Sequence, residues 1–448
     1  MGESANDAQS TLSDARLVAW VRQAAPYIHA FRGRAFVVAF GGEVLDSGVA
    51  QALIHDIALL DSMGIQLVLV HGARPQIDAE MKGRGLEPRF HNGLRVTDAP
   101  ALECVKRAMG VTRIEIEALL SQGLPNTPLA GAFLRVTGGN FVSAKPVGVD
   151  DGVDFQFTGA VRKIEAEEIR ADLAQENVVL ITPIAASPSG EIFNLAWEEV
   201  AEAVAVAIKA DKLIFLCDAP GLVDKKGKRI PALTVDEGAA LRAKQAPEVA
   251  RVLPGAIRAC KNGVGRAHFL DRNMDGAMLL EFFTHDGVGT VMTRAPLAHL
   301  REATPDDVGA VLALIAPLEA DGTLVKRGRE RIEMEIGRFS LLDHDGVVVG
   351  CAALYPLTRV RGEPATAELA CLAVMPEYRR AGYGDQLRQH LEKRARAAKI
   401  KRLCVLTTRT AHWFVERGYA EAGLDALPQS RRELYNFQRR SKVLVKNL

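Results

Sequence analysis

Glu368 and Cys371 head the run Glu368-Leu-Ala-Cys-Leu-Ala-Val-Met-Pro-Glu-Tyr-Arg-Arg-Ala-Gly-Tyr-Gly384, which joins a carboxylate, a thiol and a glycine loop. A carboxylate can take a proton from an attacking nucleophile, directly or through water. A thiolate can itself attack an acyl group, although no histidine lies near Cys371 in sequence to activate it. The loop has the form Arg379-x-x-Gly382-x-Gly384 and opens a helical pattern over 385–398. Glycines where a loop enters a helix let backbone N–H groups approach a phosphate, and the helix N-terminus adds partial positive charge. Arg379 and Arg380 add full charges beside it. The chemistry implied is that of an enzyme using a phosphorylated cofactor. The spacing is not the Gly-x-Gly-x-x-Gly of a dinucleotide-binding turn.

The elements that must hold these residues follow from pattern. Residues 369–374 read as a short apolar strand leading into the loop. Before it, Thr304-Pro-Asp-Asp307 offers an N-cap, a first-turn proline and acidic residues for a helix to about 318. A hairpin is expected at 339–342 and 347–355, joined by Asp343-His-Asp-Gly346. A strand at 402–407, a short helix at 411–417 and a last strand near 441–445 complete this half.

The first half has a different grammar. After a polar tail, Leu17, Trp20, Val21, Ala24 and Ala25 fall at helical spacing. Strand-like runs at 36–40, 66–70, 178–181, 213–217 and 278–283 alternate with helical segments such as 51–62, 100–121 and 198–210. That alternation predicts an open, mostly parallel sheet sandwiched by helices. Short turns and strands between 133 and 161 read as inserted hairpins. The domain plan expected is a tail and helix over 1–30, a first domain over 31–292, a linker over 293–303 and a second α/β domain over 304–448.

At 448 residues the chain exceeds one ordinary core. With 48% hydrophobic and 25% charged residues, it reads as a soluble globular protein. Lys plus Arg total 56 against 55 Asp plus Glu, so no basic field invites nucleic acid. No apolar run reaches the roughly 18 residues of a membrane span, and the polar, acidic N-terminus reads as neither signal nor transit peptide. Six scattered cysteines and ten histidines without ligand spacing suggest a cytoplasmic, metal-free protein with reduced thiols.

The loop after Val374 resembles the acetyl-CoA pyrophosphate loop of GNAT-type N-acetyltransferases. The resemblance implies acetyl-CoA as co-substrate, cradled by Leu372, Ala373, Val374, Arg379, Arg380, Ala381, Gly382, Tyr383 and Gly384. Other segments resemble the bacterial amino-acid acetyltransferases that open arginine biosynthesis: Gly322-Thr-Leu-Val-Lys-Arg-Gly-Arg-Glu330, Cys351-Ala-Ala-Leu-Tyr-Pro356, Leu406-Thr-Thr-Arg-Thr-Ala-His-Trp-Phe414 and Leu434-Tyr-Asn-Phe-Gln-Arg-Arg-Ser-Lys-Val-Leu444. The implied reaction moves acetyl from acetyl-CoA to the α-amino group of L-glutamate. Glu368 is the expected base. Cys371 is taken into the catalytic set in a hydrogen-bonding or acid role rather than a covalent one, with packing as the alternative. Where many GNAT members carry an acid tyrosine, this chain has Phe414, so Thr407, Thr408, His412 and Tyr435 stay open as donors, with Thr408 taken into the catalytic set. Glutamate's two carboxylates need cations. Val325, Arg327, Arg409 and Arg440 are the expected pocket, from a basic set that also holds Lys326, Arg329 and Arg439.

The first domain resembles the amino-acid kinase family through Phe40-Gly-Gly42, His71-Gly72, Pro75-Gln-Ile77, Phe90-His-Asn-Gly-Leu-Arg-Val-Thr97, Leu216-Cys-Asp-Ala-Pro-Gly-Leu-Val-Asp224 and Leu280-Glu-Phe-Phe-Thr-His-Asp-Gly-Val-Gly-Thr290. Its kinase lysines are absent at Ala39 and Ala259, Ala73 and Arg74 interrupt the glycine turn, and Trp197 takes a carboxylate's place. Phosphoryl transfer depends on positioned positive charge, so this domain is expected to be catalytically inert. The resemblance implies instead an allosteric L-arginine site at Tyr27, Lys212, His268, Glu281 and Gly287, feedback inhibition, and a homo-oligomer, with a hexamer the expected size. Two other functions compete: a bifunctional synthase–kinase, and an arginine-sensing protein-lysine acetyltransferase.

Overall fold

The computed structural model describes residues 18, 20–22, 24–46, 48–123, 126–127, 129–241, 245–284, 287–358, 362–379 and 381–448. The chain forms two compact units, Met1–Ala295 and Pro296–Leu448. Among the described residues, no helix is long and apolar enough to cross a membrane.

Among the described residues, the main sheet of the first unit has eight strands: β1 (Ala35–Phe40), β2 (Gln66–His71), β3 (Val136–Thr137), β4 (Val178–Ile181), β5 (Lys212–Cys217), β6 (Ala232–Thr234), β7 (Arg266–Asp271) and β8 (Thr290–Thr293). Their order is β6-β8-β7-β5-β1-β2-β4-β3, and every neighbouring pair is parallel except β7–β8. The central strands are buried on both faces, which is why they are unbroken apolar runs rather than alternating ones. Phe36, Val38 and Phe40 face a cluster with Ile54 and Ile57 of α1 (Ala50–Ser62) and Ile116 and Leu120 of α3 (Ala99–Leu120). Val37 and Ala39 face α4 (Trp197–Ala207) and α5 (Pro247–Lys261). Between β2 and α3 lies α2 (Arg74–Gly83). The expected hairpins are present as Val142–Pro146, Gly159–Ile164 and the small pair Val149–Asp150 with Val153–Asp154.

Two expectations for this unit fail. Residues 278–283 are not a strand but lie in helix α6 (Ala277–Phe283). A six-residue apolar run carries too little period to separate strand from helix, and Met278 and Phe282, one helical turn apart, both face the core. The strand preceding that helix, β7, was not expected, since Arg266, His268 and Asp271 interrupt its apolar residues. Near the N-terminus, residues 24–31 are helical, with Ala24, Tyr27, Ile28 and Phe31 against the core. Trp20 and Val21 are exposed rather than part of that stripe, and Leu17 lies outside the described residues.

The second unit is one sheet in the order β9-β10-β11-β12-β13-β15-β14: β9 (Ala298–Glu302), β10 (Phe339–His344), β11 (Val347–Pro356), β12 (Thr366–Val374), β13 (Arg402–Thr407), β14 (Ala420–Ala422) and β15 (Lys442–Asn447). β9 falls inside the stretch expected to be a linker; it pairs with β10 from Ala298↔His344 to Glu302↔Ser340 and so belongs to the sheet. The capping box at Thr304 and Asp307 starts α7 (Val308–Ala320). The hairpin turn uses Asp345 and Gly346, both at positive φ. Helix α8 (Arg329–Glu335) follows α7, and α9 (Tyr383–Ala397) buries Leu387, Leu391 and Ala395 against the sheet, four residues apart.

Candidate active site and ligand sites

β12 and β13 are the one parallel pair in the second sheet, and they pair only from Thr366↔Arg402 to Glu368↔Cys404. Both strands continue, to Val374 and Thr407, but without further pairing. The sheet therefore opens just after Glu368. On its other side β12 carries a bulge: Ala353 pairs with Ala370 and Cys351 with Ala373, leaving Cys371 and Leu372 opposite Ala352. Cys371 takes the extra residue's strain at φ 53. The bulge turns Ala370 and Cys371 toward α7, while Leu372 and Val374 face α9.

At the far end of β12, Gly382 is the N-cap of α9 with φ 77, and no side chain caps that helix. Bare N–H groups at a helix N-terminus suit an anion. A Cβ on Gly384 would lie 3.6 Å from Trp413, so the fold itself leaves room for a side chain there. Arg379 is exposed, its Nε donating to the Val374 carbonyl at 3.4 Å. Arg380 lies outside the described residues.

Glu368 is held by a residue that motif reading missed. Arg431 donates from Nε to Oε2 at 2.5 Å and from its terminal nitrogen to Oε1 at 3.3 Å. Arg431 sits in the short helix Gln429–Arg432, where its sequence context is only a pair of arginines; pairing across 63 residues left no local signal. Tyr355, also missed, is the direct cross-strand partner of Glu368. Its ring lies 5.3 Å from the Arg327 guanidinium and 5.1 Å from that of Arg338, and burial raises its hydroxyl well above the usual range. Arg327 also donates to the Cys371 sulfur, and its backbone N–H bonds Glu319 at 2.8 Å. Cys371 is buried, and burial pushes its thiol up to about 11 even beside that cation. A thiol held there is not a nucleophile at neutral pH.

The remaining expected residues divide. Val325 is exposed in the loop between α7 and α8. Arg409 reaches that loop's start, bonding the Asp321 carboxylate and carbonyl at 3.0 Å each. Arg439 donates to the carbonyls of Gly322 and Thr323. Arg440 is exposed, with left-handed backbone at φ 50. Among the donors left open, Thr407 bonds Thr410 at 2.8 Å, His412 pairs with Glu416 at 3.0 Å, and Tyr435 donates to the Ser441 carbonyl at 2.7 Å. Thr408 is exposed one residue beyond the end of β13.

In the first unit, Lys212, His268, Glu281 and Gly287 gather around aromatic rings. Lys212 Nζ is 4.7 Å from Phe31 and 5.4 Å from Phe282, and Tyr27 lies 6.2 Å from Phe31. His268 Nδ1 meets Glu281 Oε1 at 2.8 Å, while Val288 and Gly289 donate backbone N–H groups to Oε2 at 2.8 and 2.9 Å. Burial alone would raise Glu281, but these donors outweigh it and hold the carboxyl down near 2. Burial lowers His268, with the Glu281 contact opposing it. Gly287, at φ 55, has no space for a side chain, since its Cβ would lie 2.5 Å from Glu281.

The glycines at the ends of β1 and β2 are covered. Side chains of Glu43 and Gln76 fill the space over Gly41 and Gly42, and a Cβ on Gly72 would lie 2.8 Å from the Trp197 indole. His91, Asp150 and Asp151 bring ligand atoms within 4.8 Å of one another at the surface, an exposed cluster that by itself makes no metal site.

The chain matches the amino acid kinase family over residues 34–271 and the acetyltransferase (GNAT) family over residues 316–419. It is 50% identical over 436 residues to the amino-acid acetyltransferase of Ralstonia nicotianae, covering 97% of this chain and 96% of that one. The chain belongs to the amino-acid acetyltransferase family. It is an amino-acid N-acetyltransferase whose acetyl donor is acetyl-CoA. The Azotobacter vinelandii amino-acid acetyltransferase is likewise 50% identical, covering 96% of this chain and 99% of that one. Among solved structures, N-acetylglutamate synthase from Neisseria gonorrhoeae complexed with coenzyme A and L-arginine is similar, with 37% identity, TM-score 0.87, and coverage of 96% of this acetyltransferase and 99% of that chain. The same synthase complexed with coenzyme A and N-acetyl-glutamate matches at 38% identity and TM-score 0.61, with the same coverage.

Proposed function

We propose that this acetyltransferase moves the acetyl group of acetyl-CoA to the α-amino group of L-glutamate, giving N-acetyl-L-glutamate and CoA as the first step of arginine biosynthesis. The observation that carries this reading is Glu368 at the mouth of the sheet opening, on the sheet face toward α7, with Arg431 bonded to it and Arg327 on the cross-strand Tyr355 ring. A base beside cations is the arrangement a substrate with one amine and two carboxylates requires. Glu368 takes a proton from the ammonium and releases it to solvent, the neutral amine attacks the thioester carbon, and the nitrogen gives its second proton to Glu368 as the C–S bond breaks and CoA leaves. Thr408, exposed past the end of β13, is our choice to pass a proton to the departing sulfur and regain one from water. Leu372, Ala373, Val374 and residues 379–384 cradle the coenzyme, with Val325, Arg327, Arg409 and Arg440 forming the glutamate pocket. Within that set Arg327 and Arg440 take the carboxylates, and Arg409 holds the loop through Asp321.

The first unit, in this reading, is an inert kinase-like domain that binds L-arginine at Tyr27, Lys212, His268, Glu281 and Gly287 and transmits feedback inhibition. Glu43 and Trp197 over the glycines oppose phosphate there, by charge and by bulk, and disfavour the bifunctional synthase–kinase. The related synthase complexes with L-arginine and with N-acetyl-glutamate support both ligand assignments. We also take the enzyme to be a cytoplasmic homo-oligomer, a hexamer by resemblance. Purified chain with acetyl-CoA and a panel of free amino acids and lysine peptides tests the substrate. Turnover with glutamate above all others is expected; turnover only with peptide lysines would replace this reading.

A further inference from the structure

A cavity of about 720 Å³ in the first unit is lined by Ala73 and Trp197, beside the covered glycine ends. Arg74 lines it and makes no ion pair among the described residues; its guanidinium sits 5.3 Å from the Phe90 ring. Nearby cations are otherwise engaged: Arg95 bonds Asp78 at 2.5 Å and Arg258 bonds Glu202 at 2.8 Å. Arg251 reaches Glu198 only at 3.6 Å. Burial most, and Arg251 next, lower Arg74, with Glu198 and Glu43 opposing them from a distance. Glu199, the other acid of the lining, is occupied by the Val161 N–H at 2.9 Å. Ile77, Met109 and Phe90 supply apolar wall.

We propose that this cavity is a second ligand site, taking a small carboxylate with an apolar body, with the carboxylate on Arg74 and Arg251 and the body against Phe90, Ile77 and Met109. It differs in kind from the cleft around Glu281, which presents a carboxylate to a cation. An unpaired guanidinium in a walled cavity gains most from a bidentate carboxylate.

Calorimetric titration of the full chain with glutarate and with 3-phenylpropionate tests this, with CoA and glutamate present at saturation to fill the acetyl-transfer site. One site per chain is expected for at least one probe. Arg74→Gln and Arg251→Gln should each weaken it by roughly tenfold or more, the scale of one charge-assisted contact. Arg84→Gln, at the C-cap of the same helix but paired with Glu80 outside the cavity, should change nothing. Arg251 is exposed, so its variant keeps the test open should Arg74→Gln fail to fold. No saturable heat with either probe overturns the proposal. So does binding that both cavity variants leave unchanged, or binding that Glu281→Ala abolishes.

Discussion

Replacing Glu368 by glutamine keeps the side chain's shape and removes its ability to take a proton. General-base contributions run to about 10²–10⁴-fold, so Glu368→Gln should lower kcat by at least about a hundredfold with little change in KM for acetyl-CoA. Initial rates at saturating glutamate check this. Cys371 should behave oppositely. Its thiol stays protonated up to about 11 and lies buried, so iodoacetamide at pH 8 should leave activity intact and Cys371→Ala should keep most of it. Rapid inactivation at a single site by that reagent would reopen the covalent reading. At this scale the strand, glycine turn and helix start of the run 368–384 were legible because they are contiguous, while the bulge at Cys371 was not. Arg431 and Tyr355 were not, because the contacts that define them are made by the folded sheet.

The loop between β12 and α9 makes two glycines experimentally distinct. Gly382 sits at φ 77, where a Cβ is strained, so Gly382→Ala should lose about 1 kcal/mol of stability as well as coenzyme affinity. Gly384 has helical backbone and free space toward Trp413. Gly384→Ala should therefore unfold like the parent yet raise KM for acetyl-CoA, if the coenzyme phosphates need that surface bare. Thermal melts beside coenzyme titrations separate the two. Strands such as 36–40 and 402–407 could be read because their burial is uniform or their alternation clean. Residues 278–283 and 298–302 could not: the first is too short to show a period, and the second has polar ends and acquires its partner only when β10 folds back.

For the whole molecule, the buried ionisable groups of the first unit set its acid response. Burial lowers His71 and His268 to about 4, below the ordinary 6.5. The unfolded chain then takes up protons first, and the stability these two supply is lost as pH falls from about 6.5 to about 4. Asp56, raised by burial to about 6 from 3.8, works the other way, binding its proton in the folded state. Asp56→Asn should remove that counterweight, so its stability should drop more steeply than the parent's between pH 6 and 4, by up to about 1.4 kcal/mol per pH unit. Denaturant melts across that range decide it. The proposed arginine control also belongs here. Glu281→Ala should abolish the response to arginine while basal acetyl transfer persists, since Glu281 stands in the other unit from Glu368. An unchanged arginine response in that variant would remove Glu281 from the site.

The ion pair between Arg431 and Glu368 also bears on waste. An enzyme holding a thioester beside an idle base risks spending it on water. With Arg431 gripping both carboxylate oxygens, the base is occupied until the ammonium of an incoming amino acid competes for one of them. Acetyl-CoA bound alone should therefore be long-lived. Arg431→Ala should hydrolyse it faster in the absence of any acceptor, a leak that free-thiol release would record directly.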